Sequence, residues 1–512
     1  MGVLHPLDYG VLAAYVVFVI VVGVLVARRS PDSDELFLAG RSLGFGVVGL
    51  SLFASNISST TLIGLPGAAW EHGIAVANYE WMAALVLVFS AVFVVPMLLR
   101  HRVTTIPQWL EQRFDARMRK YLSGVAIFLS VVLDTAGSLY AGAVVLDLFV
   151  PGLTLGWTCA GIAVFVGLYT AAGGLRAVAY TDVMQVIVLM AGSLMLTVIV
   201  FGEFDYSWAN VKAAIPDDHL SLIRPLDDAA LPWLGTLIGL PVLGFYYWTM
   251  NQYVSQRVLA ARDQAAAGYG ALLAAFLKLL PLFLMVLPGA MAISLLPDLD
   301  RADSVFPALI AEYAPVGLAG LILAGLLAAI MSSIDSALNS ASTLISVDFV
   351  LPRRPNTTPQ QLAFIGRGVT FGLVAFAAVW APAIDNFPGL FAYLQQGFAY
   401  VTPPLVAVFL LGVFTQRLGA RGALYATLCG HAVSAAWFVA TQMGLLDVHF
   451  TIVAGGLFLF TLAVAWGWSV TLGESANAGV GYVRGAIALP AGVKAGALGL
   501  LALTVTLVLA FW

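Results

Sequence analysis

Polar residues interrupt a hydrophobic stretch early in the chain, at residues 50–67 (LSLFASNISSTTLIGLPG), inside a segment long enough to cross a bilayer. Its middle, from Ser55 to Thr61, carries hydroxyl groups and the amide of Asn56. A membrane helix tolerates such groups, and an opened backbone at mid-depth, where they line an enclosed cavity or bind a ligand. A break of this kind is how secondary transporters build ion and substrate sites. The alternative is close packing through small residues, which requires no asparagine among the hydroxyls.

A second polar stretch lies at residues 327–348, where Ser332, Ser336, Asn339 and Ser340 recur at helical spacing. They form one hydrophilic face. If this face meets the break near residues 54–57, the carbonyl and hydroxyl oxygens form an all-oxygen shell for a hard cation. A shell without several carboxylates suits a monovalent ion such as sodium better than calcium. Packing of helices through serine is the alternative.

A third stretch, residues 231–253, contains Pro241 and Gly244 and then the aromatic residues 245–248. Proline and glycine at mid-span predict a second discontinuous helix. It comes five spans after the first, which is typical of two five-helix repeats of opposite topology. The aromatic side chains either stack on a solute or form an interfacial belt.

Several ionisable side chains fall within apolar spans, where each costs about 3 kcal/mol on insertion scales and needs a partner or a function. They are Glu80, Asp134, Asp182, Lys278 and Asp335. Ion pairing, for example of Lys278 with a carboxylate, is the alternative for any one of them. Their number predicts a polar cavity within the helix bundle.

Composition identifies a polytopic membrane protein. The 512 residues are 61% hydrophobic and 10% charged, and the net charge of −4 gives no support for a nucleic-acid partner. Mean hydropathy is +0.96, which excludes a soluble domain. Cys159 and Cys429 lie in separate apolar segments and form no disulfide or metal-site pattern. The histidines are scattered and there is no Walker sequence, so we expect no enzyme, no catalytic residue and no cofactor.

Apolar runs of about 20 residues predict about fourteen spans. They cover residues 8–28, 44–69, 75–100, 120–149, 153–172, 175–202, 230–251, 265–296, 316–350, 361–385, 390–415, 420–443, 450–471 and 488–511. With the N-terminus outside, only Lys212, Arg224 and Arg301 lie on the exterior, and Lys278 lies in a span. All the other basic residues, including Arg257, fall in cytoplasmic loops or their flanks. The positive-inside rule therefore predicts that both termini are outside.

The spans predict a single integral membrane domain over residues 1–512. Residues 8–28 form an extra N-terminal helix, which lacks the basic start of a cleavable signal. The first inverted repeat covers residues 44–202 and the second covers 230–415, and residues 420–512 are accessory helices. Residues 203–229 form an acidic exterior loop.

Seven motifs in a fixed order resemble the sodium:solute symporter family, and within it the bacterial and animal sodium/sugar (glucose/galactose) cotransporters. The likeness extends from about residue 8 to residue 414. The motifs are 37–42 (FLAGRS), 51–58 (SLFASNIS), 79–82 (YEWM), 173–175 (GGL) with 180–182 (YTD), 251–253 (NQY) with 256–257 (QR), 276–278 (FLK), and 331–333 (MSS) through 338–340 (LNS). The resemblance implies an all-α, LeuT-like fold with a five-plus-five inverted repeat.

The resemblance also implies a sodium site. Its ligands are the carbonyl groups of Ala54, Ile57 and Ala329 and the hydroxyl groups of Ser332 and Ser333. Asp182 matches a carboxylate that assists sodium binding or release, and Ser336 matches a second sodium site of some members. Asp182 is alternatively a structural group near Arg176.

The substrate positions implied by the sugar-transporting members are Asn56, Thr61, Glu80, Asp134, Lys278 and Gln395, and the implied gate residues are Leu65, Tyr79, Tyr247 and Phe391. Four positions depart from the pattern: Thr61 replaces glutamine, Gly244 asparagine, Ala83 serine, and Asp134 a neutral or basic residue. Asp134 then either favours a solute that bears an amine or pairs with Lys278.

These observations predict a sodium-coupled secondary active symporter that takes up a small polar organic solute, a sugar or polyol, by alternating access. A symporter of an amino acid, nucleoside, sialic acid or carboxylate is the alternative, as is a transporter-like sensor or channel. The expected partners are the solute, sodium and the lipid of the plasma or bacterial inner membrane. The sequence leaves open whether the protein is a monomer or a dimer.

Overall fold

The computed structural model describes residues 5–27, 37–57, 59–149, 152, 154–387, 389–474, 479–482 and 489–511. Within these residues the regular structure is helical, and extended pairing is limited to two isolated bridges. Residues 28, 153 and 488, at the ends of three predicted spans, lie outside the described part. The expectation of an all-α fold is confirmed.

The helices up to residue 214 are Pro6–Ala27, Phe45–Asn56, Ser59–His72, Asn78–Phe89, Val95–Arg100, Ile106–Arg113, Ala116–Leu129, Ala136–Phe149, Leu155–Gly202 and Trp208–Ala214. Those that follow are Trp233–Ile238, Leu240–Phe245, Gln252–Leu259, Gln264–Leu277, Leu287–Leu295, Val305–Tyr313, Leu318–Leu344, Leu351–Arg353, Pro359–Trp380, Leu390–Val401, Pro403–Phe414, Ala420–Gln442, Phe450–Leu472 and Ala491–Ala510. Wider π turns connect several consecutive pieces, at Ser90–Val94, Ser130–Thr135, Tyr246–Met250, Leu282–Val286 and Ile345–Val350. Every predicted span coincides with helical segments.

Among the described residues, 9 helical segments are long and apolar enough to cross a membrane, and 2 bent pairs pass the same test together. The first bent pair, Phe45–Asn56 with Ser59–His72, is called the broken span below. Its axis bends by 55° between Phe45–Asn56 and Thr61–His72, beside the polar residues that predict a break. The second pair bends by 50° between Leu390–Val401 and Pro403–Phe414, because Pro403 and Pro404 cannot donate backbone hydrogen bonds to the preceding turn.

The helical segment Leu155–Gly202 has 48 residues and covers two predicted spans. A straight helix of that length would measure about 72 Å, more than twice the hydrocarbon core. Thr170 and Asp182 would lie about 18 Å apart along such a helix. Yet Thr170 donates a hydrogen bond to Asp335, and Asp182 accepts one from Ser332. Ser332 and Asp335 lie on adjacent turns of the helix Leu318–Leu344. Both the part of the segment around Thr170 and the part around Asp182 therefore contact that helix.

The helix Leu318–Leu344, called the serine helix below, lies at the centre of the bundle. Nearly all of its residues are buried, and it packs against the segment Leu155–Gly202, the broken span and Pro359–Trp380. Its small serine and alanine side chains permit close approach of these neighbours. By contrast, the final helices Ala420–Gln442, Phe450–Leu472 and Ala491–Ala510 expose many apolar side chains, as expected for lipid-facing accessory helices.

The span predicted to break at Pro241 and Gly244 is interrupted at Gly239, between Trp233–Ile238 and Leu240–Phe245, and again further along the chain. Pro241 occupies the first turn of the helix Leu240–Phe245, where a missing N–H has no consequence. The backbone becomes extended at Asn251, with φ −62° and ψ 124°. The Asn251 side chain accepts a hydrogen bond from the N–H of Tyr253 at 3.4 Å and so caps the next helix.

The buried carboxylate of Asp348 lies in the π turn Ile345–Val350, just after the serine helix, and hydrogen-bonds to neighbouring elements. Asp348 accepts hydrogen bonds from Arg119 Nε at 2.9 Å, from Ser123 Oγ at 2.6 Å and from Thr105 Oγ1 at 3.0 Å. The Asp348 side chain has no solvent exposure and that of Arg119 only 12%. Loss of one member of such a pair leaves the other charge buried without compensation.

We therefore expect Asp348→Ala to lower the free energy of unfolding by about 3–5 kcal/mol, measured as a reduced thermal midpoint in detergent. Arg117→Gln is the matched control, because the pair between Arg117 and Asp115 leaves 55% of the arginine side chain exposed. It is expected to leave the thermal midpoint nearly unchanged, because exposed ion pairs contribute little to stability. Equal midpoints for the two variants would contradict a structural role of Asp348.

Candidate functional site

The broken span places helix-end carbonyl groups in the interior of the bundle. Phe45–Asn56 is helical, and Ile57 leaves helical geometry at φ −72° and ψ 70°. The last carbonyl groups of a helix lack partners within the helix and carry the negative end of its dipole. The predicted ligands Ala54 and Ile57 belong to this end and are buried. Their carbonyl oxygens are of the type that stabilises a cation.

The serine helix contributes the other predicted sodium ligands, which are also buried. Ser333 Oγ donates a hydrogen bond to the carbonyl oxygen of Ala329 at 2.7 Å. Ser332 Oγ donates to Asp182 Oδ1. Each hydroxyl group therefore donates its proton in a hydrogen bond within the protein. Its oxygen lone pairs remain available to bind a cation.

Asp182 is the centre of a buried polar network. Its Oδ2 accepts hydrogen bonds from Ser51 Oγ at 2.6 Å and from Arg257 Nη2 at 2.9 Å. Ser336, the candidate for a second sodium site, accepts from Arg257 Nη2 at 2.5 Å. Asp182 and Arg257 are 0% and 1% exposed, so the carboxylate is paired with Arg257. The side chain of Arg176, the alternative neighbour, is outside the described part.

The network joins the broken span to the serine helix. Ser55 Oγ lies 3.5 Å from Asp182 Oδ2, and the second oxygen of the same carboxylate accepts from Ser332. Asn56 and Ser333 also line one cavity. The two stretches that carry the predicted sodium ligands are therefore neighbours, with no intervening layer of hydrocarbon side chains between Ser55 and Ser332.

A cavity of about 100 Å³ lies at this junction, which is room for about three water molecules. Most of the predicted solute-binding residues line it, namely Asn56, Thr61, Glu80, Asp134 and Gln395. Its remaining wall is formed largely by aliphatic and aromatic side chains. Amide, hydroxyl and carboxylate groups in an otherwise apolar cavity can orient a solute by hydrogen bonds.

Lys278 is the predicted solute-binding residue that the structure does not bring to this cavity wall. Its side chain is fully buried, and Nζ bonds to Glu80 Oε2. Nζ also lies 4.9 Å from the ring centroid of Trp248 and 5.7 Å from that of Phe53, within the range of cation–π attraction. Lys278 therefore orients the Glu80 side chain and balances its charge from outside the cavity wall. It does not pair with Asp134.

Three predicted gate residues, Leu65, Tyr79 and Phe391, line one end of the cavity. The rings of Tyr79 and Phe391 meet edge to face, with centroids 5.0 Å apart and planes at 88°. Tyr247, the fourth gate residue, contacts the rings of Tyr253 and Phe398 at centroid distances of 5.7 and 5.8 Å. Aromatic contacts therefore close the cavity on two sides.

Beyond Tyr79 and Phe391 lies a larger cavity of about 870 Å³, which the same two side chains also line. Burial lowers the pKa of His449 in its wall to about 4, so the imidazole is neutral at physiological pH. Burial raises the pKa of Asp303, whose carboxylate accepts a hydrogen bond from the backbone N–H of Leu390 at 3.3 Å. Asp303 thereby holds the start of the helix that carries Phe391.

Arg257 is the main functional residue whose role sequence reasoning missed. The positive-inside pattern places it at a cytoplasmic flank, whereas the structure buries it against Asp182. The sequence contains one signal for this role: Asp182 lies within a span, and a buried carboxylate requires a cationic partner. Ser51, Ser138 and Tyr253 also contribute to the network or the cavity wall.

Comparison with known proteins agrees with this arrangement. The sequence model of the sodium:solute symporter family matches residues 36–430. A sodium/glucose cotransporter of Vibrio parahaemolyticus is 34% identical over 449 residues, covering 82% of this chain and 82% of that protein. A sodium/mannose cotransporter of Bos taurus is 34% identical over 475 residues, with 84% and 79% covered. A sodium/myo-inositol cotransporter 2 of Oryctolagus cuniculus is 34% identical over 465 residues, with 83% and 69% covered.

Solved structures show the same fold. A Na+-coupled sialic acid symporter, in a substrate-bound outward-open state, superimposes with a TM-score of 0.81 at 22% identity, over 92% of this chain and 99% of that chain. The nucleobase-cation-symport-1 transporter MHP1, in a closed conformation, gives a TM-score of 0.57 at 15% identity, with 87% and 96% covered. The family match over most of the chain, the curated relatives and the shared fold together identify this protein as a member of the sodium:solute symporter family.

Proposed function

We propose that this protein is a sodium-coupled symporter that carries a sugar or polyol into the cell by alternating access. The observation that carries the proposal is the polar cavity at the junction of the broken span and the serine helix. Glu80, held by Lys278, and the amides of Asn56 and Gln395 offer acceptors and donors for vicinal hydroxyl groups. Curated relatives named for glucose, mannose and myo-inositol support this solute class.

The proposed sodium ligands are the carbonyl oxygens of Ala54, Ile57 and Ala329 and the hydroxyl oxygens of Ser332 and Ser333. Neutral oxygens at a helix end suit a dehydrated monovalent cation. Asp182 lies one hydrogen bond from Ser332, so it can attract sodium to the site and assist its release. Ser336, already bonded to Arg257, is the proposed oxygen of a second sodium position.

Coupling follows from differential binding. Sodium joins the broken span to the serine helix and stabilises the outward-open state, whose cavity then binds solute. Since Asn56 and Ser333 line the same cavity, occupation of one site changes the geometry of the other. Sodium and solute must then raise each other's affinity by the same factor. The contact between Tyr79 and Phe391 closes the outer side, and Tyr247 moves aside to release solute inward.

A symporter of another solute class, and a sensor or passive channel on the same fold, are the competing functions. Sodium-dependent accumulation of labelled sugar against a gradient in proteoliposomes distinguishes them. Accumulation that requires an inward sodium gradient supports symport. Equilibration without accumulation would contradict it.

Ser333→Ala is expected to raise the sodium concentration for half-maximal uptake roughly tenfold, the equivalent of about 1.4 kcal/mol. The substitution removes one proposed ligand oxygen and leaves the helix intact. Ser342→Ala is the matched control: Ser342 is buried on the same helix, and its Oγ donates to Gly366 O at 2.7 Å away from the cavity. An unchanged sodium requirement in Ser333→Ala, with normal thermal stability, would exclude this residue from the site.

Lys278→Gln is expected to weaken solute binding at least tenfold while changing sodium affinity by less than about threefold, because the charge of Glu80 is no longer balanced where it faces the cavity. Solute and sodium titrations monitored by tryptophan fluorescence measure both quantities. The double variant Lys278→Gln with Glu80→Gln should regain thermal stability without regaining solute affinity. Equal losses for solute and sodium in the single variant would assign Lys278 a purely structural role.

For topology we propose that both termini and residues 203–229 are exterior. In a variant with Cys429→Ser, a cysteine at Asp217 should react with a membrane-impermeant maleimide in intact cells. A cysteine at Asn356 should react only after permeabilisation. The reverse pattern would invert the proposed orientation.

A further inference from the structure

The carboxylates that line the solute cavity are Glu80 and Asp134. They differ in whether a cationic side chain pairs with them. Glu80 bonds to Lys278 Nζ. Asp134 has no cationic partner within 4.0 Å among the described side chains, and its Oδ2 has no hydrogen-bond partner. The cavity wall therefore carries one carboxyl group without a cationic partner among the described side chains.

The neighbours of Asp134 are neutral. Asn251 offers an amide, although its Nδ2 also lacks a well-formed hydrogen bond, and Tyr246, Tyr247 and Tyr393 are phenols close enough to be affected by a charge on Asp134. The buried cations of this region are committed elsewhere: Arg257 to Asp182, and Lys278 to Glu80. None of these contacts supplies positive charge to Asp134.

The local backbone presents Asp134 to the cavity. The residue lies in the wide π turn Ser130–Thr135, between the helices Ala116–Leu129 and Ala136–Phe149. Such turns inside a helix occur frequently at functional sites. Thr135 Oγ1 donates to Ser130 O at 2.7 Å and stabilises the turn. Ser138, one turn further on, lines the same cavity.

An unbalanced carboxylate in a closed cavity is costly unless a ligand supplies the opposite charge. Hydrogen bonds between an ammonium group and a carboxylate are about twice as strong as neutral ones. The aromatic side chains Tyr247 and Phe391 in the same wall also attract a cation through their ring faces. The cavity thus combines a hydroxyl-binding side at Glu80 with a cation-binding side at Asp134.

We propose that Asp134 is a specificity-determining residue that selects polyhydroxylated solutes bearing a protonated amine, such as amino sugars or aminocyclitols. The inference rests on the proposed function and narrows its solute class. Glu80, Asn56 and Gln395 bind the hydroxyl groups, and Asp134 binds the ammonium group. A sugar whose amine is acetylated loses the positive charge and is disfavoured.

The test compares binding of glucose, glucosamine and N-acetylglucosamine to the purified protein in saturating sodium, at a pH where the amine is protonated. Isothermal competition against a labelled sugar gives the three affinities. We expect glucosamine to bind about tenfold or more tighter than the two neutral sugars, as expected for a hydrogen bond between charged groups. Asp134→Asn should remove this preference, whereas Ser138→Ala, a neutral change in the same wall, should keep it.

Equal affinity of the wild-type protein for glucosamine and glucose would overturn the inference, because Asp134 would then be neutralised by a proton. This comparison requires no variant, so it holds even if Asp134→Asn fails to fold. Sodium-dependent binding of glucose without any amine preference would refute the role of Asp134 and leave the proposed function intact. Absence of sodium-dependent binding of all three sugars would refute both.

Discussion

The buried ion pair between Asp182 and Arg257 is the interaction on which the rest of the site depends. Both side chains are removed from solvent, so each charge is tolerated only because the other is present. Through Ser51, Ser332 and Ser336 the pair joins the broken span, the segment Leu155–Gly202, the helix Gln252–Leu259 and the serine helix. A change in the distance between these elements must rearrange the pair, which makes it sensitive to the conformational change that transport requires.

A second buried pair, Lys278 with Glu80, serves the solute cavity in a different way. Lys278 is held between the rings of Phe53 and Trp248 and pairs with Glu80 from outside the cavity wall. Glu80 can therefore remain ionised at membrane depth and still present oxygen lone pairs to a solute. Asp134, which lines the same cavity, has no equivalent cationic partner among the described side chains.

The cavity at the junction of the broken span and the serine helix is small for the solute it is proposed to carry. A cavity of about 100 Å³ holds about three water molecules, less than the volume of a monosaccharide. Solute binding consequently requires the wall to move, and the aromatic contacts of Tyr79, Phe391 and Tyr247 are the parts of the wall that can separate without breaking backbone hydrogen bonds. The cavity of about 870 Å³ beyond Tyr79 and Phe391 is large enough to receive a solute before it reaches the site.

Much of this protein follows from the sequence alone, because a bilayer imposes strong local rules. Runs of apolar residues define the spans, and polar groups at mid-span predict both the break at Asn56 and the hydrophilic face of the serine helix. Only the tertiary structure decided which charges pair. Arg257 has the sequence context of a loop residue, yet it is buried against Asp182. Lys278 pairs with Glu80 and not with Asp134. It also decided that this span is interrupted at Asn251 in addition to Gly239, beside the predicted Pro241. Hydropathy and residue spacing report position along a helix, whereas the partner of a buried charge depends on which helices lie side by side, and that is set by packing between residues far apart in the chain.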